Sequence, residues 1–228
     1  MPFKMEAFSL LKACLTQCKV VHLMRSLPPD QLKNFLEGYD RALRAGFEKL
    51  IGKTLDDRWW EVARMNNKHG GMGLKSGLKT AGAQHLTSLA MSYDDILKFV
   101  PSWNLYETAD KMTTKWLSRQ LGKDVDSKII VDAVIASSGF GESGKLSLAQ
   151  WCEEAEKGRV LRKMDSSERL FIESNSGPGS AWVKATPLTW KNWNMKPRLW
   201  VDAVREDCFS RFAHEEASVG HVGWEGRI

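Results

Sequence analysis

Apolar residues recur at three- and four-residue spacing along most of the chain, and this period predicts α-helices. The segment 3–25 predicts one helix, which Pro28 and Pro29 end. The segment 30–51 predicts a longer helix with a C-cap at Gly52. The apolar stripe of this longer helix consists of Phe35, Leu36, Tyr39, Leu43, Phe47, Leu50 and Ile51.

Shorter helices are predicted further along the chain. Thr54 and Asp57 resemble a capping box for a helix that runs through Ala63. An irregular loop rich in Asn and Gly follows at residues 66–73. The apolar run 129–136 fits either a buried helix or a short strand. Later helices are predicted at 76–98, 103–121, 147–161 and 166–171, and after Pro197. The predicted fold class is therefore all-α, an irregular multi-helix bundle.

A stretch rich in Gly and Ser divides the chain into two helical parts. Residues 137–146 form this stretch and predict a linker. The first part, residues 1–136, is basic, and the second part, residues 147–212, is smaller. Residues 213–228 are polar and Gly-rich, and we expect them to form a flexible tail.

Composition favours a globular protein inside the cell. Hydrophobic residues are 43% and charged residues 27% of the chain, as in ordinary globular domains. Charges interrupt each apolar run before the roughly 18 residues that a membrane span needs, and Lys12 breaks the stretch that a secretory signal would use. The four cysteines are too scattered for a disulfide framework. We therefore expect an intracellular protein, nuclear or cytoplasmic, with no membrane partner.

Positive charge is concentrated in the first third of the chain. Residues 1–80 contain 14 Lys and Arg against 8 Asp and Glu, a net charge of +6, whereas the whole chain nets +5. A localised basic surface attracts polyanions, and the pair Trp59-Trp60 among these cations offers rings that stack on bases. The alternative is an ordinary solvated helix face. The candidate nucleic-acid-binding residues are Lys19, Arg25, Arg41, Arg44, Lys49, Lys53, Arg58, Trp60, Arg64, Lys68, Lys75 and Lys79.

Two motifs resemble sites of enzymes that act on phosphates, one a phosphate-binding loop and the other a metal-binding aspartate pair, and both are incomplete. Gly139 to Lys145 has the glycine and lysine spacing of a phosphate-binding loop, but Leu146 stands where a Mg²⁺-binding hydroxyl is required. Tyr93-Asp94-Asp95 contains the paired aspartates that hold metal ions in polymerases, but its flanks predict a helix and not a hairpin.

One set of residues has the spacing of metal ligands on a helix. Cys14, Cys18 and His22 stack along one helical stripe, but a tetrahedral site needs ligands from elsewhere, for which Cys208 and His214 are the candidates. A helix-face cysteine in the core is the alternative interpretation. We therefore predict no catalytic residues, no metal and no cofactor, and a protein that is not an enzyme.

Five short motifs occur in a fixed order. They are Cys18 to Pro29, Tyr39-Asp40, Ile51-Gly52, Gly70 to Ser76 before an Ala-rich helix, and Ser176 to Trp182 ahead of Pro187. Over about residues 14–205 this ordered set resembles the region that follows the polymerase palm in reverse-transcriptase-like proteins of non-LTR retroelements.

The resemblance implies a thumb-like helical region whose role in the family is to hold template and primer. It implies no catalysis, because the fingers and the palm aspartates of a polymerase are missing from this chain. The chain also lacks the family's proline before the Gly-Gly pair and its downstream Cys/His region, a departure that a truncated element would share. Structural loops are expected at Gly70, Gly71, Gly73, Gly177, Gly179 and Trp182.

The leading hypothesis is a non-catalytic nucleic-acid-binding segment. Its partners are RNA or DNA, contacted through the backbone with low sequence specificity, and a polymerase domain encoded upstream. A helical protein–protein interaction or scaffold protein is the alternative. A nucleotide-binding protein that uses Gly139 to Lys145 is a third hypothesis.

Overall fold

The computed structural model describes residues 4–16, 20–112, 116–117, 126, 128–130, 132 and 148–176. These residues form helices joined by turns and contain no strand, so the protein is all-α as predicted. Residues 129, 130 and 132 of the ambiguous apolar segment are helical. The α-helices are α1 (Lys4–Cys14), α2 (Val21–Ser26), α3 (Pro29–Ile51), α4 (Asp57–Arg64), α5 (Gly77–Met91), α6 (Tyr93–Phe99), α7 (Leu105–Met112), α8 (Leu148–Arg162) and α9 (Ser166–Ser174). A short 3-10 helix, Asn67–His69, lies within the predicted Asn- and Gly-rich loop.

The prediction of one continuous helix over residues 3–25 was wrong, because α1 ends at Cys14 and α2 begins at Val21. The Tyr39 hydroxyl of α3 lies 2.6 Å from the carbonyl oxygens of both Leu15 and Thr16. A continuing helix would use these carbonyls for its own hydrogen bonds. A contact with α3 therefore replaces the next turn of α1.

The long helix α3 confirms the predicted stripe and the predicted C-cap. Gly52 adopts a left-handed conformation with φ of 70°, and its N–H donates to the Glu48 carbonyl at 2.8 Å. One member of the stripe was wrong: Phe35 is 50% exposed and stacks on Tyr39. The buried side chains of α3 are Leu32, Leu36, Leu43, Phe47, Leu50 and Ile51, together with Pro29.

The N-cap of α4 is Asp56, and the predicted Thr54–Asp57 capping box was wrong. The Asp56 carboxylate accepts a hydrogen bond from the Trp59 backbone N–H at 2.8 Å. This bond satisfies one of the free donors of the first helical turn. The helix consequently begins at Asp57.

The helix predicted over residues 76–98 is two helices, α5 and α6, which meet at Ser92. Ser76 caps α5 by accepting a hydrogen bond from the Lys79 N–H. Small buried residues let other helices come close to α5: a Cβ placed on Gly77 would lie 3.0 Å from Leu36 of α3. As a result α5 packs against α2, α3, α7 and α8 and occupies the centre of the described structure.

A main core joins the two predicted parts. It contains residues of α1, α3 and α4 from the first part, and Val160, Met164 and Ile172 from the second. Two smaller clusters lie between α2, α3 and α5 and around α5, α7 and Leu148. The division at residues 137–146 stays a prediction, because those residues, the end of the second part and the tail lie outside the described residues.

Candidate functional site

The cations predicted to bind nucleic acid separate into groups once the chain is folded. Arg25 is exposed near the end of α2, and Arg58 lies on α4. Lys19 lies outside the described residues. One group faces α8 and consists of Arg64, Lys68, Lys75 and Lys79. A second group lies on or next to α3 and consists of Arg41, Arg44, Lys49 and Lys53.

Carboxylates of α8 pair with the first group. Glu153 accepts hydrogen bonds from Lys75 at 2.7 Å and from Asn66, and its second oxygen lies 3.3 Å from Lys68 Nζ. Glu156 accepts from Lys79 at 2.5 Å. These glutamates hold the lysines of the group, Lys68, Lys75 and Lys79, against α8, so the charges of these lysines are not free for a phosphate backbone.

Burial shifts the pKa values of the charged side chains that meet between the first group and α8, which we call the α8 layer. Burial and the neighbouring Arg64 and Arg159 lower the pKa of Lys79 to about 8, against the attraction of Glu156. Burial alone would raise the pKa of Glu153, but hydrogen bonds from Lys75 and Asn66 lower it overall. The layer is therefore a set of coupled, partly desolvated charges and not a solvated helix face.

A cleft opens between α4, α5 and α8. It is open to solvent, and its walls include Arg64, Lys79, Glu153, Glu156 and Arg159. We call it the α8 cleft. The Nε atoms of Arg64 and Arg159 are buried and have no hydrogen-bond partner within the described part of the chain.

Arg44 and Arg58 also face carboxylates. Arg44 donates to Glu48 at 2.9 Å and to Asp57 at 2.6 Å, and it also donates to the Leu55 carbonyl. This guanidinium lowers the pKa of Asp57. Arg58 lies 3.8 Å from both Asp56 and Glu168. Arg44 thus fixes the turn between α3 and α4.

The exposed cations of α3 have a different environment. Arg41 and Lys49 are exposed and form no ion pair within the described residues, and the same is true of Arg25 on α2. Lys33, further up the helix, has only a 4.0 Å contact with Glu37. We call the surface that carries Lys33, Arg41 and Lys49 the outer face of α3.

The prediction that Trp60 stacks on bases was wrong, because its side chain is in the main core. Trp60 is 6% exposed and Trp59 is 4% exposed. The Trp60 ring packs against Phe47 at 6.2 Å, and the Arg44 and Arg64 guanidiniums each lie 5.9 Å from its centroid. An exposed aromatic ring is found on α3 instead, at Phe35.

The Gly-rich loop is a structural loop, as predicted. Gly70 and Gly73 have φ of 83° and 76°, values that favour glycine. A Cβ on Gly70 would lie 2.2 Å from the Ile172 carbonyl oxygen, and one on Gly71 would lie 2.2 Å from the Met65 carbonyl oxygen. The loop therefore brings the backbone close to α9. The predicted loop residues Gly177, Gly179 and Trp182 lie outside the described residues.

The Tyr39-Asp40 motif has a structural role that the sequence did not reveal. The Asp40 carboxylate accepts hydrogen bonds from the Gly77 N–H at 2.8 Å and from the Ser76 hydroxyl. It therefore caps the N-terminus of α5 from α3, while Tyr39 ends α1. Two of the five ordered motifs thus contact each other directly, through Asp40 and Ser76.

The remaining chemical motifs show no assembled centre among the described residues. No three His, Cys, Asp or Glu side chains there converge as a metal site. Cys14 is exposed at the end of α1, and the Asp94-Asp95 pair is in a helix, where Asp95 accepts from Lys98 at 2.7 Å. Burial raises the pKa of Cys152 to about 12, so this thiol is protonated at neutral pH. Cys18, Cys208, His214 and the segment 139–146 lie outside the described residues.

The acidic residues of α8 are the functional feature that sequence reasoning missed. Glu153, Glu154 and Glu156 lie close together in the sequence, and the chain beyond residue 80 does not share the positive excess of its start. This acidic cluster was the signal that a second element could neutralise the basic one.

Comparisons with known proteins give no match: no family model, no curated protein and no solved structure is similar to the chain. Among the helices of the described residues, none has the length and apolar character that crossing a membrane requires.

Proposed function

We propose that this chain is a non-catalytic nucleic-acid-binding segment whose contact surface is the outer face of α3. The observation that carries the proposal is the set of exposed cations there, Arg41 and Lys49, which have no carboxylate partner within the described residues. The resemblance to the region after the palm of non-LTR reverse transcriptases supports the same function.

The spacing of these cations suits a phosphate backbone. Lys33, Arg41 and Lys49 follow one another at eight-residue intervals, which corresponds to about 12 Å along the helix axis and about 80° around it. They therefore wind around the solvent-facing half of α3. Contacts of this kind favour phosphates over bases, so we expect low sequence specificity and no choice between RNA and DNA by base readout.

The helix α3 also carries an exposed aromatic ring. Phe35 is 50% exposed, and its ring centroid lies 6.3 Å from that of Tyr39 on the same helix. Stacking of an unpaired base on a ring of this kind contributes about 1–3 kcal/mol. We therefore expect single strands to bind more tightly than duplexes of equal charge.

Salt dependence tests the proposal. Binding of a labelled single-stranded oligonucleotide, followed by fluorescence anisotropy from roughly 50 to 200 mM salt, should weaken steeply. The double variant Arg41→Gln/Lys49→Gln should lower the slope of log K against log salt by about 0.7 for each phosphate that the protein no longer neutralises.

The matched control is Lys98→Gln/Lys111→Gln. It removes the same charge from α6 and α7, where the two lysines pair with Asp95 and Glu107. The control should bind as the unmodified protein does. Equal weakening by both double variants would show that only net charge matters and would remove the outer face of α3 as the site.

Catalysis, in this proposal, belongs to a polymerase domain encoded upstream, and the chain acts in an intracellular compartment. The test is addition of the purified chain to such a domain followed by primer extension. Longer products at unchanged initiation are expected from a segment that holds template and primer.

A protein-interaction role is the second candidate, and a separate surface favours it. Large apolar side chains are exposed near the junctions of α5, α6 and α7: Phe99 is 86%, Met91 56% and Tyr106 47% exposed. Apolar patches of this kind mark interaction sites in many proteins. A Phe99→Ser variant that loses concentration-dependent association in sedimentation would support this role, whereas a monomer at all concentrations would remove self-association from it.

A further inference from the structure

The α8 cleft contains guanidinium groups whose hydrogen-bond donors are unused. Each guanidinium has five N–H donors. Neither Arg64 nor Arg159 donates a hydrogen bond to any described residue, and the Nε atom of each is buried. Buried donors are nearly always satisfied in native proteins, and an exception calls for an explanation such as an ordered water or a bound ion.

The carboxylates nearest to these guanidiniums are already engaged. Glu61 lies 3.8 Å from Arg64 but accepts a hydrogen bond from Lys163 at 2.7 Å. Glu156 lies 3.7 Å from Arg159 but accepts from Lys79 at 2.5 Å. Separations of 3.7–3.8 Å are ion pairs without a hydrogen bond. The lysines therefore use the carboxylates, and the arginines keep their donors.

The walls of the cleft carry an excess of positive charge. Four cationic side chains, Arg64, Lys75, Lys79 and Arg159, face two anionic ones, Glu153 and Glu156. Gln84 also lines the cleft, and its amide makes no hydrogen bond with the described residues. Burial is the largest cause of the lowered pKa of Lys79, and the two neighbouring guanidiniums lower it further against the attraction of Glu156.

We propose that the α8 cleft binds a phosphate group, held by the Arg64 and Arg159 guanidiniums with the Gln84 amide as a further donor. Planar guanidiniums match the oxygens of phosphate in paired hydrogen bonds. The cleft opens to solvent, so a molecule larger than its bound phosphate could extend out of it. The phosphate therefore belongs either to a free phosphorylated compound or to the phosphorylated end of a nucleic-acid strand.

This inference does not depend on the proposed function, because the cleft and the outer face of α3 use different residues. The first experiment is a titration of the full chain with inorganic pyrophosphate at constant ionic strength and pH 7, followed by calorimetry and by the unfolding temperature. Saturable binding and a rise in unfolding temperature are expected.

The variant that decides the inference is Arg159→Gln, with Arg162→Gln as the matched control. Arg162 lies on the same helix, is exposed and does not line the cleft. Pyrophosphate affinity should fall at least tenfold in Arg159→Gln and stay within twofold in Arg162→Gln. Equal affinity in all three proteins, or no binding by the unmodified chain, would overturn the proposal.

Two further measurements check that the variant is folded and identify the molecule that carries the phosphate. If Arg159→Gln loses its helical circular dichroism, Gln84→Ala takes its place with the same expected direction. Oligonucleotides of one sequence with a 5′-phosphate or a 5′-hydroxyl then separate the two sources. If the 5′-phosphate increases affinity, and this increase is lost in Arg159→Gln but kept in Arg41→Gln/Lys49→Gln, the cleft binds the ends of nucleic-acid strands. If the chain binds pyrophosphate but the 5′-phosphate adds no affinity, the cleft binds a free phosphorylated compound.

Discussion

Two cationic regions of this protein come from the same basic stretch of sequence and have different environments. On the outer face of α3, Arg41 and Lys49 are solvated and unpaired within the described residues. In the α8 cleft, Lys75 and Lys79 are held by Glu153 and Glu156 of a helix more than 70 residues further along the chain. The difference teaches that a count of cations does not separate those that bind a partner from those that fasten one helix to another.

The energetic basis of the difference is desolvation. A solvated ion pair contributes about 0–1 kcal/mol to stability, so an exposed cation is replaced at little cost. A half-buried pair with several hydrogen bonds behaves differently, because removal of one partner leaves the other charge desolvated and unpaired. Substitutions in the two regions should therefore have unequal effects on folding.

The largest contrast should come from one substitution made at two glycines, Gly70 in the loop next to Lys68 and Gly38 on α3. Gly70→Ala should lower the free energy of unfolding by about 3 kcal/mol, because φ is positive there and the added Cβ would meet the Ile172 carbonyl. Gly38→Ala on α3 meets only the end of the Arg41 side chain, at 4.0 Å, and should raise it by about 0.5–1 kcal/mol. Urea denaturation measures both. If Gly70→Ala and Gly38→Ala changed the free energy of unfolding in the same direction, the contrast between a closely packed glycine and an open one would be contradicted.

Next in size is the removal of a carboxylate charge. Glu153→Gln should destabilise the protein by about 2 kcal/mol, because Lys75 loses its partner at a half-buried position and Lys68 keeps the more distant Glu154 at 3.9 Å. Glu37→Gln removes the same charge from the 4.0 Å surface pair with Lys33 and should cost less than about 0.5 kcal/mol. If Glu153→Gln and Glu37→Gln lowered the denaturation midpoint equally, the ion pairs of the α8 layer would contribute no more than solvated surface pairs do.

A smaller effect concerns pH. The folded pKa of Lys79 is about 8, below its ordinary 10.5, so between these pH values the unfolded chain binds more protons than the folded chain. Stability should therefore rise with pH in this window, by about 1 kcal/mol per unit at most for one group. The rise should be missing in Lys79→Gln when unfolding is followed across the window. An identical slope in the variant would place this titration elsewhere.

The smallest effect on folding is expected on the outer face of α3. Arg41→Gln and Lys49→Gln should each change the free energy of unfolding by less than about 0.5 kcal/mol, since these side chains are exposed. Thermal unfolding of both variants beside Lys79→Gln gives the comparison. A loss above about 1 kcal/mol in either variant would mean that this face also has a structural role.

Local signals predicted much of the fold. The period of α3, the Gly52 cap and the loop at Gly70 and Gly73 follow from rules that act within a few residues, and all are present in the structure. The errors came from distant contacts. The break after α1 depends on Tyr39, and the burial of Trp60 depends on its packing against Phe47 of α3.

The candidate site was predicted less well for the same physical reason. Side-chain type identified the cations, but their free or paired state depends on which carboxylates the fold brings to them. Lys75 and Glu153 are 78 positions apart, and no local pattern specifies that they meet. The cations of α3 remained exposed because the helix turns them away from the core that its own apolar stripe forms.

The contact of Gly70 with α9 has a consequence for evolution. Here two backbones touch with no side chain between them, so repacking of nearby side chains offers no relief for a larger residue at position 70. A related protein with alanine there would need a shifted α9, and hence a changed neighbourhood around position 172. Because a change of side chain at position 172 does not move the backbone carbonyl there, glycine should be kept at position 70 among descendants of a common ancestor.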